Sequence, residues 1–130
     1  MAVNGSSHPR IRVLIADDHQ LFAEALEAIL SGDERVDVVG QARDGREAVQ
    51  LTQKLRPDVV LMDISMPVLD GIEAATEIRD GGGGVRVLML TGSNSRADVD
   101  RARQAGAAGY VTKDRIAAEL IDAILEIAED

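Results

Sequence analysis

Five short runs rich in β-branched residues constrain the fold of this chain most strongly, and three of them contain the wholly apolar stretches VLIA, VVLM and VLML. Such runs are typical of strands covered on both faces, because a strand with one wet face alternates apolar and polar residues. The stretches between them place apolar residues at i, i+3 and i+4, as amphipathic helices do. The predicted strands are residues 11–16, 36–40, 58–62, 85–90 and 108–111. The predicted helices are residues 20–30, 45–55, 71–79, 96–105 and 115–128.

Strands and helices therefore alternate as (βα)5. Right-handed crossovers convert that order into an α/β fold, a doubly wound five-stranded parallel sheet between two helix layers. Capping residues support the helix starts, since Asp44 and Asp70 are each followed three positions later by a glutamate, the pattern of a capping box. Ser95, three residues before Asp98, indicates a third start. Gly81–Gly84 is predicted to be a flexible loop, because a phosphate-binding glycine loop follows a strand and opens a helix.

Length and composition indicate a single globular domain. The 130 residues are 45% hydrophobic and 28% charged, and residues 1–10 are expected to form a flexible N-terminal segment before a domain at 11–130. The absence of cysteine excludes thiol nucleophiles and cysteine metal sites and suits a reducing compartment. No apolar run is long enough to span a bilayer, so we expect a cytoplasmic protein with no membrane partner.

The charge balance argues against nucleic-acid binding by this chain alone. Fourteen Lys and Arg residues stand against 23 Asp and Glu residues, which gives a net charge of −9 and a surface that repels phosphate backbones. The aromatic residues are only Phe22 and Tyr110, so stacking platforms for bases are missing as well.

Polar residues follow the predicted strands where each strand ends. Asp17 and Asp18 follow the first strand, Asp63 the third, Thr91 the fourth and Lys113 the fifth. The carboxyl ends of parallel strands meet at one edge of the sheet, which is where open α/β sheets bind ligands. We therefore expect three carboxylates, a hydroxyl and an ammonium group to share one cleft.

Three neighbouring carboxylates require either a bound cation or protonation of one of them. Oxygen ligands favour Mg2+, which binds one or two carboxylates and reaches for phosphoryl oxygens, so the cleft predicts phosphoryl transfer. The remaining carboxylate would be a nucleophile that forms an aspartyl phosphate, and Lys113 and Thr91 would hold the new oxygens. His19 is predicted to be a surface residue rather than a metal ligand, because Mg2+ prefers oxygen.

The motifs together resemble the receiver domain of bacterial two-component response regulators over residues 11–128. The segments that carry the resemblance are RVLIADDHQLF, PDVVLMDISMPVLDGIE, VLMLTG and AGAAGYVTKD. Their phrasing is similar to the NarL/FixJ subfamily, whose members carry a LuxR-type helix-turn-helix. The resemblance implies a flavodoxin-like receiver fold with strand order 2-1-3-4-5 and control of transcription through a DNA-binding domain outside this sequence.

The resemblance also implies the role of each site residue. Asp63 would accept a phosphoryl group from a sensor histidine kinase, and Asp18, Asp63 and the backbone carbonyl of Ser65 would bind Mg2+, with Asp17 acting through a water. Such a domain is a signalling module rather than an enzyme, although it takes part in its own phosphotransfer and autodephosphorylation.

Three further positions carry expectations about the phosphoryl group and the conformational switch. Lys113 and Thr91 would contact the phosphoryl group, as would the amide of Gly92, whose missing side chain leaves that side open to water. Thr91 and Tyr110 would form the switch. The last helix is apolar over about half its circumference, wider than the ~100° stripe of a surface helix, which leaves open a homodimer through helices 1 and 5 or simple burial.

Three alternative functions are compatible with parts of the pattern. A phosphatase of the haloacid dehalogenase type would need a D-x-D pair after the first strand, whereas Asp17 and Asp18 are adjacent. A flavodoxin-like or nucleotide-binding module would need a glycine- or hydroxyl-rich first loop. A degenerate receiver that only docks partners would be expected to lack part of the five-residue set.

Overall fold

The computed structural model describes residues 10–66, 68–92 and 96–128. Within them, strands and helices alternate as predicted, and a 3-10 turn at Lys113–Arg115 precedes the last helix. The strands are β1 (Ile11–Ala16), β2 (Val36–Ala42), β3 (Val59–Asp63), β4 (Arg86–Thr91) and β5 (Gly109–Thr112). The helices are α1 (Gln20–Ser31), α2 (Gly45–Leu55), α3 (Gly71–Asp80), α4 (Arg96–Gln104) and α5 (Ile116–Ala128).

The five strands form one parallel sheet in the order β2-β1-β3-β4-β5. This arrangement confirms the predicted doubly wound α/β fold and its strand order. The chain reverses direction across the sheet between β1 and β3, and such a switch point leaves a crevice at the carboxyl ends of these strands. The two strands are directly paired, with Ala16 opposite Met62, so Asp17 and Asp63 follow at neighbouring positions.

Each face of the sheet has its own hydrophobic core. Successive residues of β1 alternate between them, with Val13 and Ile15 packing beneath α1 and α5, and Leu14 and Ala16 beneath α2, α3 and α4. Because both faces are covered, the central strands β1, β3 and β4 contain the wholly apolar stretches VLIA, VVLM and VLML, the pattern from which they were predicted. Residues 59–63 of β3 are all buried.

The element bounds differ from the predictions by at most two residues. The largest difference is β2, which was predicted to end at Gly40 and continues to Ala42. The register between β1 and β2 shifts after Val13, so that Val38 and Gly40 face consecutive residues of β1 and Val39 has no partner. This bulge adds a residue to one strand of the pair and moves its end along the sheet.

Side-chain caps begin two helices as predicted. Asp44 and Asp70 accept hydrogen bonds from the backbone amides of Glu47 and Glu73, and the reciprocal contact from Glu73 completes a capping box at α3. The third predicted cap, Ser95, lies outside the described residues.

The loop between α3 and β4 is glycine-rich, as expected. Gly82, Gly83 and Gly84 adopt φ angles of 71°, 92° and 75°, a region that L side chains rarely occupy, and all three are exposed. The segment connects a helix to a strand, so the prediction of a connecting loop is confirmed.

Helix α5 buries four of its six leucine and isoleucine residues. Ile116, Leu120, Ile124 and Ile127 are buried in the core beneath α1 and α5, whereas Leu125 is half-buried. Most of the broad apolar surface therefore packs against the sheet, and the predicted homodimer through helices 1 and 5 stays a prediction. Within the part of the chain that the structure describes, no helix has the length and apolar character to cross a membrane. Residues 1–9 are outside that part, so the flexible N-terminal segment also stays a prediction.

Candidate functional site

The carboxyl-terminal edge of the sheet brings three charged side chains together. Asp17 directly follows β1, Asp63 is the last residue of β3, and Lys113 directly follows β5. The Lys113 ammonium lies 3.3 Å from Asp63 Oδ2 and 3.9 Å from Asp17 Oδ2. The predicted convergence of residues distant in sequence is therefore present in the fold.

Asp17 is buried with one oxygen unsatisfied. Its Oδ1 accepts a hydrogen bond of 2.8 Å from the backbone amide of His19, which holds the carboxylate at the start of α1. Its Oδ2 is buried without a hydrogen-bond partner among the described residues, and Lys113 lies beyond hydrogen-bonding distance from it. A buried carboxylate oxygen in this state carries a large desolvation cost and is suited to a cation or an ordered water.

Asp63 lies at the centre of the group and is 2% exposed. Its carboxylate accepts hydrogen bonds from the backbone amide of Ser65 at 3.2 Å and from the Lys113 ammonium at 3.3 Å. Burial raises the pKa of Asp63 above its usual value, and the charge of Asp17 adds to that effect, whereas Lys113 and the Ser65 amide lower it. The raised pKa means that, without a bound cation, the site disfavours the ionised form of Asp63.

A close backbone contact positions the loop that follows Asp63. Gly71 begins α3, and a Cβ at this position would lie 2.2 Å from the carbonyl oxygen of Asp63. The Gly71 amide also donates a hydrogen bond of 3.1 Å to the carbonyl of Ile64. Only glycine fits this approach, so Gly71 ties the end of β3 to the start of α3.

Four side chains of this edge could hold a metal ion. One potential ligand atom from each of Asp17, Asp18, His19 and Asp63 lies within 4.8 Å of the others. Asp18 is exposed and borders an open groove of about 490 Å³, to which Ser65 also contributes. The three carboxylates and the unsatisfied oxygen of Asp17 fit a hard divalent cation such as Mg2+.

His19 was predicted to be a surface residue, and its side chain is 69% exposed. Its Nδ1 lies 3.2 Å from Asp18 Oδ1 and 3.4 Å from Asp17 Oδ1, so it borders the acidic pair. The oxygen ligands remain the better match for Mg2+, and the imidazole adds a hydrogen-bonding group at the mouth of the site.

The predicted switch residues lie on β4 and β5, the two strands that follow β3 in the sheet. Thr91 ends β4 and is buried, whereas Tyr110 lies on β5 and is 43% exposed. Tyr110 and Gly92 both line a surface cavity of about 710 Å³. A Cβ at Gly92 would meet no atom of the described residues within 4 Å, and the predicted exposure of the phosphoryl site to water on this side stays a prediction.

One neighbour of the site was missed by the sequence analysis. The Lys113 ammonium lies 4.6 Å from the centroid of the Phe22 ring, within the range of a cation–π contact. Phe22 belongs to the first turn of α1, four residues after Asp18. Its spacing of four residues from Asp18 was the only sequence signal for a place near the site. Many core residues of helices have the same spacing from a polar residue, so the signal is not specific.

Comparisons with known proteins identify the family. The model of the response regulator receiver domain matches residues 13–125. The transcriptional regulatory protein DegU of Brevibacillus brevis is 38% identical over 120 residues, which cover 92% of this chain and 51% of DegU. The probable transcriptional regulatory protein NarL of Mycobacterium tuberculosis is 39% identical over 120 residues, which cover 92% of this chain and 56% of NarL. The chain thus spans just over half the length of these two relatives.

Solved structures agree with the sequence relatives. The signal receiver domain of the putative response regulator NarL from Mycobacterium tuberculosis has a TM-score of 0.89 and 39% identity, covering 93% of this chain and 98% of that one. A CheX–CheY–BeF3–Mg2+ complex from Borrelia burgdorferi contains a chain with a TM-score of 0.86 and 26% identity, covering 96% of this chain and 94% of that one. The chain therefore belongs to the receiver domain family of two-component response regulators.

Proposed function

We propose that Asp63 accepts a phosphoryl group from a sensor histidine kinase in the presence of Mg2+. The observation that carries this proposal is the position of the Asp63 carboxylate, which is buried near a second carboxylate, that of Asp17. The ammonium group of Lys113 lies 3.3 Å from the Asp63 carboxylate and is the only lysine group near it among the described residues. A structural ion pair would not need the adjacent Asp17, whose unsatisfied oxygen adds negative charge to a site that already has too much.

In the proposed reaction a carboxylate oxygen of Asp63 attacks the phosphorus of a phosphohistidine. An O–P bond forms, the P–N bond of the donor breaks, and the leaving imidazole nitrogen takes up a proton. Lys113 neutralises charge on the transferred group, because its ammonium is already within reach of Asp63. Thr91 and the amide of Gly92, at the end of the adjacent strand β4, would donate hydrogen bonds to the remaining oxygens.

The metal would be held by Asp18, Asp63 and the backbone carbonyl of Ser65, with Asp17 acting through a water. The acidic cluster supports this set, and Mg2+ is present in the complex of the similar CheY chain. When bound, Mg2+ supplies positive charge that offsets the carboxylates and the incoming phosphoryl oxygens. The chain's own residues then keep the nucleophile in place, since the Ser65 amide and the close contact at Gly71 hold the Asp63 loop.

We further propose that phosphorylation is transmitted to the surface by Thr91 and Tyr110. The two residues lie on adjacent strands, one buried beside the site and one partly exposed. The output is transcription, as the names of the DegU and NarL relatives suggest, through a DNA-binding part outside this sequence. A homodimer through α1 and α5 and a cytoplasmic location complete the proposal.

The proposal is tested by incubating the protein with Mg2+ and a small phosphodonor such as acetyl phosphate, followed by intact-mass measurement. We expect one phosphoryl adduct on the wild type and none on Asp63→Asn. The adduct is labile to hydroxylamine, as an acyl phosphate is and a phosphoserine is not. Ser65→Ala is the matched control, because it removes a hydroxyl two residues from Asp63, keeps the backbone carbonyl and should leave the adduct unchanged. An adduct of equal yield on Asp63→Asn would refute the assignment.

A further inference from the structure

The ring of Phe22 lies against the ammonium group of Lys113. We infer that Phe22 is a positioning residue, whose ring holds the Lys113 ammonium beside Asp63 for phosphoryl transfer. This inference rests on the proposed function and assigns a role to a residue that lacks any polar group. The ammonium lies 4.6 Å from the ring centroid, 3.3 Å from Asp63 Oδ2 and 3.9 Å from Asp17 Oδ2.

The ring itself is held by packing. Phe22 is half-buried and packs against the core beneath α1 and α5, whereas its neighbour Leu21 is 82% exposed. Lys113 begins the 3-10 turn before α5, and its side chain is 28% exposed. The ammonium is therefore enclosed by carboxylates and an aromatic face that come from different elements.

The ion pairs alone define the lysine position poorly. A lysine side chain loses much rotamer entropy when it is held in one position, and the contacts of Lys113 are long for charge-assisted hydrogen bonds, which usually measure about 2.7–2.9 Å. Phosphorylation also converts the Asp63 carboxylate into an acyl phosphate, which removes the carboxylate charge that pairs with Lys113. The contact with Phe22 does not depend on Asp63, so it can retain the ammonium beside the incoming phosphoryl oxygens throughout the reaction.

The composition of the chain allows a test that changes the electron density on the face of the Phe22 ring with little change in its shape. Phe22 is the only phenylalanine among the 130 residues, so biosynthetic replacement with fluorinated phenylalanines alters a single side chain. Fluorine withdraws electrons from the ring face and weakens cation–π attraction in steps. The variants compared are unlabelled, 4-fluoro and 3,4,5-trifluoro protein, with Phe22→Leu as the variant that has no ring.

The readout is the rate of phosphorylation by acetyl phosphate at saturating Mg2+, measured over a range of donor concentrations. We expect the maximal rate to fall with each degree of fluorination, and by about two- to fivefold in Phe22→Leu, which corresponds to the ~0.5 to 1 kcal/mol of a partly exposed cation–π pair. The donor concentration for half-maximal rate should stay unchanged. Thermal melts of the fluorinated proteins control for damage to α1.

A second measurement detects the contact without any phosphodonor. The 19F resonance of 4-fluoro-Phe22 should shift when Lys113 is replaced by Met, and a resonance that does not respond would overturn the inference. Maximal rates that do not depend on fluorination, in a native protein that is phosphorylated, would overturn the inference and leave the proposed function intact. A native protein that accepts no phosphoryl group would overturn both.

Discussion

At the scale of single residues, the site places Asp63, the proposed nucleophile, where its negative charge is disfavoured. Burial and the neighbouring Asp17 raise the pKa of Asp63, although Lys113 and the Ser65 amide act in the opposite direction. The pKa of Asp33, elsewhere in the chain, is shifted in the opposite direction, because hydrogen bonds from Arg35 lower it to about 2. Arg35 thus stabilises the charged form of Asp33, whereas the surroundings of Asp63 destabilise its charged form.

The raised pKa of Asp63 predicts a pH dependence of stability in metal-free protein. The folded state keeps the Asp63 proton to a higher pH than the unfolded state, in which the pKa of Asp63 is near the ordinary aspartate value of 3.8. The free energy of unfolding therefore loses a contribution as pH rises from that value through the folded pKa, and the loss is complete above it. Asp63→Asn removes this penalty, so we expect the variant to melt at a higher temperature than the wild type at neutral pH.

The measurement is a series of thermal melts with a chelator present, from pH 4 upwards. The advantage of Asp63→Asn should shrink as the pH is lowered towards the unfolded pKa. Asp37→Asn is the matched control, because it removes the same charge from an exposed position on β2. An equal gain in both variants would show that net charge, not burial at Asp63, sets the effect.

The residues of the site were predictable to different degrees. Asp17, Asp63, Thr91 and Lys113 could be placed together because parallel strands end at one edge and the residues follow those ends. The contact of Phe22 with Lys113 could not, since it depends on how α1 lies over that edge, which packing decides. The unsatisfied oxygen of Asp17 likewise requires coordinates, because the backbone amide of His19 satisfies one oxygen and not the other.

At the scale of elements, α4 has the fewest buried residues of the five α-helices that the structure describes. Ala102 is its only buried residue, and the helix follows directly on the segment after Thr91. Helices with few buried contacts open locally at low cost in free energy, so α4 is the element that a small change at the site can alter most easily. Its position between β4 and β5 connects it to both proposed switch residues.

Thr91→Ala is predicted to uncouple phosphorylation from α4. The variant should still accept the phosphoryl group, because Asp63 and Lys113 are unchanged, but hydrogen exchange of residues 96–104 should no longer respond to it. Thr76→Ala on α3 is the control, since its hydroxyl only bonds the carbonyl of Ile72. Equal responses in wild type and Thr91→Ala would mean that the hydroxyl does not carry the switch.

The proposed dimer through α1 and α5 predicts that the partly exposed apolar residues of α5 contact a second copy of the chain. We expect phosphorylated protein to self-associate in sedimentation experiments and Leu125→Glu, on α5, to prevent it. Leu51→Glu introduces the same charge at a half-buried position of α2, on the other face of the sheet, and should leave association intact. Phosphorylated wild type that stays monomeric over a wide concentration range would contradict the proposed interface.

The elements themselves were predictable because two independent signals agree. Continuous apolar runs indicate strands covered on both faces, and capping residues mark where helices begin. The end of β2 was less accessible, because the bulge at Val39 arises from pairing with β1 and has no local sequence signal. Long-range pairing thus decides the strand ends that local patterns miss.

At the scale of the whole molecule, charge is unevenly distributed. The chain carries a net charge of −9, and Asp17, Asp18 and Asp63 concentrate negative charge at one edge where Lys113 is the near cation among the described residues. Like charges at short distance oppose folding, so the metal-free protein holds electrostatic repulsion at this edge. A cation that binds only the folded state relieves that repulsion and shifts the folding equilibrium.

Mg2+ is therefore predicted to stabilise the wild type more than a variant that lacks a proposed ligand. At ten times the dissociation constant, mass action contributes RT ln 11, about 1.4 kcal/mol, which corresponds to a rise in melting temperature of a few degrees for a domain of this size. Asp18→Ala removes one ligand and also one repulsive charge. The variant should be at least as stable as wild type without metal and should gain much less when Mg2+ is added.

The experiment compares thermal melts of wild type and Asp18→Ala, each with and without Mg2+, at constant ionic strength. Constant ionic strength matters because screening by added salt also weakens repulsion among the surface carboxylates of this acidic chain. Asp37→Ala serves as the control, since it removes an exposed charge away from the site and should keep the full Mg2+ response. Equal shifts in wild type and Asp18→Ala would mean that Mg2+ acts through general screening, and Asp18 would then have to be withdrawn as a ligand.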